Sequence, residues 1–185
     1  MNNLNHIAFI LDGNKRWAKK NNLSNVIGYS KGFENIQNLV NFSLNIKLKN
    51  LTLYALSSEN FHRSSLDIIY DIIYKNFSKH FKDLIVNNGV KIKIFGSKNN
   101  LPKKILDIFE NIENLSLNNN TLNLNIAFNY GFKHEIKTVL NKYKNNSSEI
   151  DLNNEHEIDK LFDIGNLPDP DILIRTGGYK RLSNF

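Results

Sequence analysis

The sequence predicts an α/β fold in which one largely parallel sheet is covered by helices. Short apolar runs alternate with longer stretches of helical periodicity along the whole chain, the pattern of repeated strand–helix units. In addition, each polar cluster of interest directly follows an apolar run. Ligands of parallel α/β sheets sit there, beyond the carboxyl ends of the strands.

Taken in order, residues 7–11 read as a buried strand that ends at Asp12-Gly13, where a helix starts. Over residues 31–46, Ile36, Leu39, Val40 and Leu44 recur at helical spacing, and residues 51–56 form the next strand, completing a β-α-β unit. Ser64 with Asp67 three residues later resembles a capping box. It opens a long helix over residues 65–87, carrying Ile69, Ile72, Ile73, Phe77, Phe81, Leu84 and Ile85, which Asn88-Gly89 stops. Residues 90–95 are a third strand, 102–117 a helix, 122–128 a fourth strand and 132–144 a helix. A polar loop follows over residues 145–155, then a short helix over 156–162. Pro168-Asp169-Pro170 enforces an extended turn, and residues 171–174 form the last strand before Thr176-Gly177-Gly178. No break in composition or internal repeat divides the chain, so residues 1–185 read as one domain.

A hydrophobic content of 41% with 23% charged residues is that of a chain able to bury a core. The absence of cysteine removes disulfides, iron–sulfur clusters, thiolate zinc and cysteine nucleophiles, and agrees with a cytosolic setting. No apolar run approaches the roughly 20 residues needed to span a bilayer, and Met1-Asn2-Asn3-Leu4-Asn5 is not a signal sequence. The formal charge of +6 points to anionic partners: nucleic acid, lipid headgroups or phosphorylated small molecules. Most lysines are interspersed with asparagines, as in Lys98-Asn99-Asn100, and read as solvated surface, which leaves the few arginines as the informative cations.

Three clusters hold chemistry. In Asp12-Gly13-Asn14-Lys15-Arg16-Trp17 a buried strand delivers a carboxylate to a helix start. Backbone N–H groups there, with Lys15 and Arg16, suit a diphosphate, and Asp12 suits Mg2+, a hard cation that prefers carboxylate, phosphate and water oxygens. Taken alone, the same residues are an ordinary strand-end turn whose acid caps the next helix. Ser57-Ser58-Glu59-Asn60-Phe61-His62-Arg63 packs hydroxyls, an acid, an amide, a ring and a cation behind the second strand; alone, it is also a plain polar loop. In the third, Arg175 leaves a buried strand, Gly177 and Gly178 allow close backbone approach, and Arg181 and Ser183 add donors. A Gly-Gly turn explains the glycines but not the arginines, whose forks match phosphate oxygens. Neither phosphate-cradling glycine motif is present, and the five histidines show no His-x-x-x-His spacing for zinc.

Jointly the stretches His6-Ile7-Ala8-Phe9-Ile10-Leu11-Asp12-Gly13-Asn14, Leu53-Tyr54-Ala55-Leu56-Ser57-Ser58-Glu59-Asn60, Ile174-Arg175-Thr176-Gly177-Gly178 and Arg181-Leu182-Ser183-Asn184-Phe185 resemble the cis-prenyltransferases, especially bacterial undecaprenyl diphosphate synthases. The resemblance implies a mostly parallel six-stranded sheet flanked by helices, a hydrophobic tunnel for the growing chain and a homodimer. It implies isopentenyl diphosphate and an allylic diphosphate, farnesyl diphosphate foremost, as substrates, Mg2+ as cofactor, no nucleic acid, and a cytoplasmic location with peripheral membrane contact on product release. By matching position, Asp12 is the essential acid and Mg2+ ligand, and Asn60 assists proton removal. Gly13, Asn14, Lys15, Arg16 and Trp17 line the allylic site, with Lys15 where many bacterial members have Gly. Ser57, Ser58, Glu59, Phe61 and Arg63 match the second motif, with Phe61 often a Trp. Arg175, Arg181, Leu182 and Ser183 match the isopentenyl diphosphate site.

Departures are local. Tyr29 stands where the family often has a phosphate-side His, and Asn25 where an Arg is common; a tyrosine still donates a hydrogen bond but carries no positive charge at neutral pH. Full-length relatives continue past the position of Phe185 into a segment with a second acidic metal ligand and much of the dimer surface, so the domain reads as C-terminally incomplete. The apolar faces of the helices over residues 31–46 and 65–87, with Phe33, Phe77 and Phe81, are tunnel walls or simple core. Two rivals stand beside the enzyme: a non-catalytic partner subunit of a cis-prenyltransferase, which has no need of Asp12, Asn60 or the arginines, and a basic nucleic-acid binder, for which no stacking cluster or motif is present.

Overall fold

The computed structural model describes residues 4–60, 66–76, 81–145, 150–179 and 184. Five strands form one sheet: β1 (His6–Ile10), β2 (Asn50–Ser57), β3 (Val90–Phe95), β4 (Leu122–Tyr130) and β5 (Ile172–Arg175). Their order is β3-β4-β2-β1-β5, and every pairing is parallel. The expected sixth strand is not among the described residues. Beyond Arg175 the backbone turns, with Gly177 and Gly178 at φ of 83° and 77°, and cannot continue as a strand. The connections carry helices α1 (Asn14–Lys20), α2 (Asn25–Asn45), α3 (Leu66–Asn76), α4 (Lys82–Asn88), α5 (Lys103–Ser116), α6 (Phe132–Asn145) and the short α7 (Glu155–Asp159). None of the described helices is long and apolar enough to cross a membrane.

Alternation along the strands sends two different sets of side chains to the two faces. On one face Ile7, Leu51, Leu53, Leu124, Val90 and Ile92 pack with Val40 of α2, Leu84 and Ile85 of α4 and Ile112 of α5 as the main core. Phe33 and Phe81 meet edge to face there, with centroids 5.8 Å apart, and contribute to this core; Phe77 lies outside the described residues. The other face is more polar. His6 shares a hydrogen bond with the Thr52 hydroxyl at 2.7 Å and another with the Pro168 carbonyl at 2.6 Å. Asp171 accepts the backbone N–H groups of Asn5 and His6 at 2.7 and 2.8 Å, and so pins the start of β5 to the start of β1.

Helix α2 begins at Asn25, six residues before the apolar periodicity does, because Ser24 caps it through the Ile27 N–H and its first turns pack on α1 rather than on the sheet. The contact is made by small groups. A Cβ added to Gly28 would lie 2.6 Å from the Asn14 carbonyl oxygen and 2.8 Å from the Ala18 Cβ. Gly28→Val is therefore expected to lose about 3 kcal/mol by overpacking, read as a lower urea midpoint at unchanged m-value. Parental stability would show that the two helices are not in backbone contact. The helix expected over residues 65–87 is described as α3 and α4, with residues 77–80 between them and Ser64 of its expected cap outside the described set.

Candidate active site

Parallel pairing of β1 with β5 sets Ile10 opposite Arg175, so the residues that follow each strand emerge side by side. Thr176 joins them: its hydroxyl accepts the Asp12 N–H at 2.8 Å and donates to the Asp12 carbonyl at 2.7 Å. Beyond this joint the chains touch. Gly13 has φ of 108° and Gly177 of 83°, both in the region that favours glycine, and a Cβ on Gly177 would lie 2.8 Å from the Asp12 carbonyl oxygen. Two glycines thus let two strand ends deliver their side chains to one point.

That point is the Asp12 carboxylate. Its Oδ2 accepts from Arg175 Nη2 at 2.9 Å, and its Oδ1 pairs with Arg16 Nη2 at 3.2 Å, one helical turn along. Arg16 also donates to the Gly177 carbonyl at 3.0 Å and lies 4.2 Å over the Tyr179 ring. Burial pushes the Asp12 carboxyl up, but the Arg175 hydrogen bond and the two guanidinium charges outweigh it, and the net shift is below the usual 3.8. A lowered native pKa contributes stability that is present above the unfolded value and is lost as pH falls through the lowered one. Accordingly, Asp12→Asn is expected to be less stable than the parent at pH 7, with the two acid-unfolding curves converging only below about pH 4. A gap that closes at neutral pH would contradict the ion pairing.

The second cluster is placed by irregular pairing. Register shifts between β2 and β4 at Tyr54, Leu56 and Ser57 bring Ser57 opposite Tyr130 at the carboxyl rim of the sheet. Ser58, Glu59 and Asn60 then form a single 3-10 turn. Glu59 accepts from the Asn184 side chain at 3.3 Å, and a Cβ on Gly131 would meet the Ser58 hydroxyl at 2.3 Å. Tyr54 connects this cluster to the first. Burial, chiefly, pushes its hydroxyl up to about 12; the Ser57 hydrogen bond and Arg175 oppose this and Glu59 adds to it, so the hydroxyl senses both clusters. It donates to the Tyr130 carbonyl at 3.0 Å.

Among the residues singled out from the sequence, Asp12 contacts both Arg16 and Arg175, Gly13 lies against Gly177 beside them, and Ser57, Ser58, Glu59 and Asn60 follow β2 at the same carboxyl rim. Asn14 packs against Gly32 of α2. Lys15, Arg16 and Asn25 line an open cleft of about 500 Å³ together with Lys19, Leu23 and Ser24. Tyr29 is half-buried on α2, and Trp17 is exposed. Phe61, Arg63, Arg181, Leu182 and Ser183 lie outside the described residues.

Several structuring groups were not read from the sequence: Thr176, Tyr54, and the buried Glu135, which accepts the Tyr130 hydroxyl and the Asp163 N–H. Tyr130-Gly131 repeats the strand-end signature of Asp12-Gly13, which is the signal that marks that corner. Among the described residues no three His, Cys, Asp or Glu side chains gather as a cation cage. The donor set fits Mg2+ nonetheless, since this ion is commonly held by one or two carboxylates with water and phosphate oxygens completing its shell. Asp12 offers such a carboxylate, held ionised.

A carboxylate clasped by two arginines stands at the carboxyl rim of a parallel sheet, where α/β proteins bind their ligands. Comparison with known proteins specifies the family. The undecaprenyl diphosphate synthase family model matches residues 10–185. An isoprenyl transferase of Rickettsia felis is 38% identical across 100% of this chain and 78% of its own length. A tritrans,polycis-undecaprenyl-diphosphate synthase (geranylgeranyl-diphosphate specific) of Pyrococcus furiosus is 34% identical over 97% of this chain and 71% of its own. The crystal structure of lavandulyl diphosphate synthase from Lavandula x intermedia, in complex with dimethylallyl diphosphate, superposes with a TM-score of 0.91 at 28% identity, covering 99% of this chain and 81% of that one. The chain belongs to the undecaprenyl diphosphate synthase family of prenyltransferases.

Proposed function

We propose that this protein condenses isopentenyl diphosphate with an allylic diphosphate in cis and repeats the step to build a long polyprenyl diphosphate. The observation that carries the reading is the Asp12 carboxylate held between Arg16 and Arg175 next to the Ser57–Asn60 rim. In the reaction the allylic C–O bond breaks and diphosphate departs. The isopentenyl double bond then attacks the cation, and a proton is lost to restore an alkene. Arg16, with Lys15 and the start of α1, holds the departing diphosphate as its charge develops, an electrostatic stabilisation of the transition state. Arg175 orients the second diphosphate so that its double bond lies beside the cation, a gain from positioning. Asn60 directs the leaving proton toward a phosphate oxygen or Asp12. Asp12 would hold Mg2+, which when bound would supply neutralising charge to the diphosphate. The growing tail runs between α2, α3 and the sheet, and the enzyme works as a homodimer.

Incubation with labelled isopentenyl diphosphate, Mg2+ and either farnesyl or geranylgeranyl diphosphate, followed by sizing of the extracted lipid, tests the reading. Labelled long-chain product with at least one primer is expected, the preferred primer being the one that gives it faster. No labelled lipid with either primer would overturn it.

A further inference from the structure

Three segments far apart in sequence meet where β4 ends. Helix α6 starts directly after Gly131, which has no side chain to cap it, and the first four N–H groups of the helix are satisfied in two ways. Those of His134 and Glu135 reach the Gly131 carbonyl at 2.9 and 3.0 Å. Those of Phe132 and Lys133 are taken by Asn184, the first by its backbone carbonyl at 3.0 Å and the second by its side-chain Oδ1 at 3.2 Å. The same carbonyl accepts the Tyr54 hydroxyl at 3.3 Å, and Asn184 Nδ2 donates to Glu59 Oε1 at 3.3 Å, in the 3-10 turn that carries Asn60. The neighbours select the residue type. A backbone N–H only donates and a carboxylate only accepts, so the group between Lys133 and Glu59 has to offer an acceptor on one side and a donor on the other, as a carboxamide does. Space is equally restrictive: a Cβ added to Gly131 would clash with the Ser58 hydroxyl and lie 2.8 Å from Asn184 Nδ2.

We infer that Asn184 is a positioning residue for the reaction: through Glu59 it fixes the Ser58–Asn60 turn, and with it the Asn60 amide, against the ends of β2 and β4. The inference rests on the prenyl-transfer reading, in which Asn60 directs the leaving proton, and gives Asn184 a role through that turn rather than on either substrate. A displaced proton path slows the chemical step while both diphosphates still bind, so kcat carries the effect and KM does not.

Asn184→Asp separates this role from a purely structural one. Its carboxylate keeps an oxygen for the Lys133 N–H, at a helix N-terminus that favours an anion, but sets a like charge against Glu59. A urea midpoint no lower than the parent's is expected, with kcat about 30-fold lower and both KM values within about threefold. Gly131→Ala, at a glycine outside the left-handed region, acts as a wedge between Ser58 and Asn184 and is expected to give the same kcat-selective loss. Glu59→Gln/Asn184→Asp places a donor opposite an acceptor again. If the two residues act as one unit, this double variant is no slower than Asn184→Asp alone, whereas independent roles multiply the two losses. With an active parent, the inference is overturned by parental kcat in either folded single variant at position 184 or 131, by KM values that rise as far as kcat falls, or by multiplying losses. A parent that makes no labelled lipid would instead remove the prenyl-transfer reading, and the inference with it.

Discussion

Asp12→Ala is expected to lower kcat/KM by about three orders of magnitude, ~4 kcal/mol of transition-state stabilisation. The carboxylate is only 22% exposed and organises two cations at once. On the proposed reading, removing it takes away the carboxylate that would hold Mg2+ and releases Arg16 and Arg175 from their common anchor, so leaving-group stabilisation and substrate alignment are expected to fail together. The change also deprives the Arg175 guanidinium, 13% exposed, of a charged partner, at a cost of about 1–3 kcal/mol in stability. Circular dichroism at the assay temperature separates that loss from the catalytic one. Single-turnover rates within tenfold of the parent would remove Asp12 from the chemistry.

Arg175→Lys is expected to raise KM for isopentenyl diphosphate about 100-fold, ~2.7 kcal/mol, with a smaller change in kcat. The substitution keeps the charge, so only geometry is at stake. A guanidinium can hold the Asp12 carboxylate with one nitrogen and direct the rest of its fork at phosphate oxygens, whereas an ammonium is a point charge on a flexible stem. Equal effects on the KM values of both diphosphates would show that Arg175 acts on the site as a whole rather than on one substrate.

The sheet was legible because its strands are apolar runs bounded by turn residues. Residues 90–95 were expected as a strand and Val90–Phe95 is one; residues 7–11 and 51–56 differ from β1 and β2 by a residue or two at the ends. Less legible was the first part of α2, which lies before the apolar periodicity of residues 31–46 and whose Gly28 and Gly32 serve as packing surface against α1. The six-stranded sheet came from the resemblance, while only five segments of this sequence carry a strand pattern, and five strands are described. The strand expected to be buried before Arg175 is instead exposed, with Leu173 55% accessible, because β5 is the edge of the described sheet. At the site, Asp12 and Arg175 were legible only jointly with the other clusters, since alone Asp12 reads as a strand-end cap. Their direct contact was not, because it depends on which strands are neighbours, and a residue pattern does not encode that. The same holds for Thr176 and Tyr54, which look like any turn or strand residue until strand order brings their hydroxyls to a partner.

Strand β1 lies between β2 and β5, and its partner in β5 is drawn from the far end of the chain: Ile7 pairs with Ile172. On the ribosome, β1 to β4 can associate before β5 is made, but non-local pairings of this kind form late. Until Arg175 and Thr176 emerge, Asp12 has Arg16 but lacks its second cation and the hydroxyl that fixes its backbone. The contact between the β1 and β5 strand ends is therefore made only once β5 has been synthesised, and a nascent polypeptide interrupted before that strand carries Asp12 without Arg175 or Thr176 beside it.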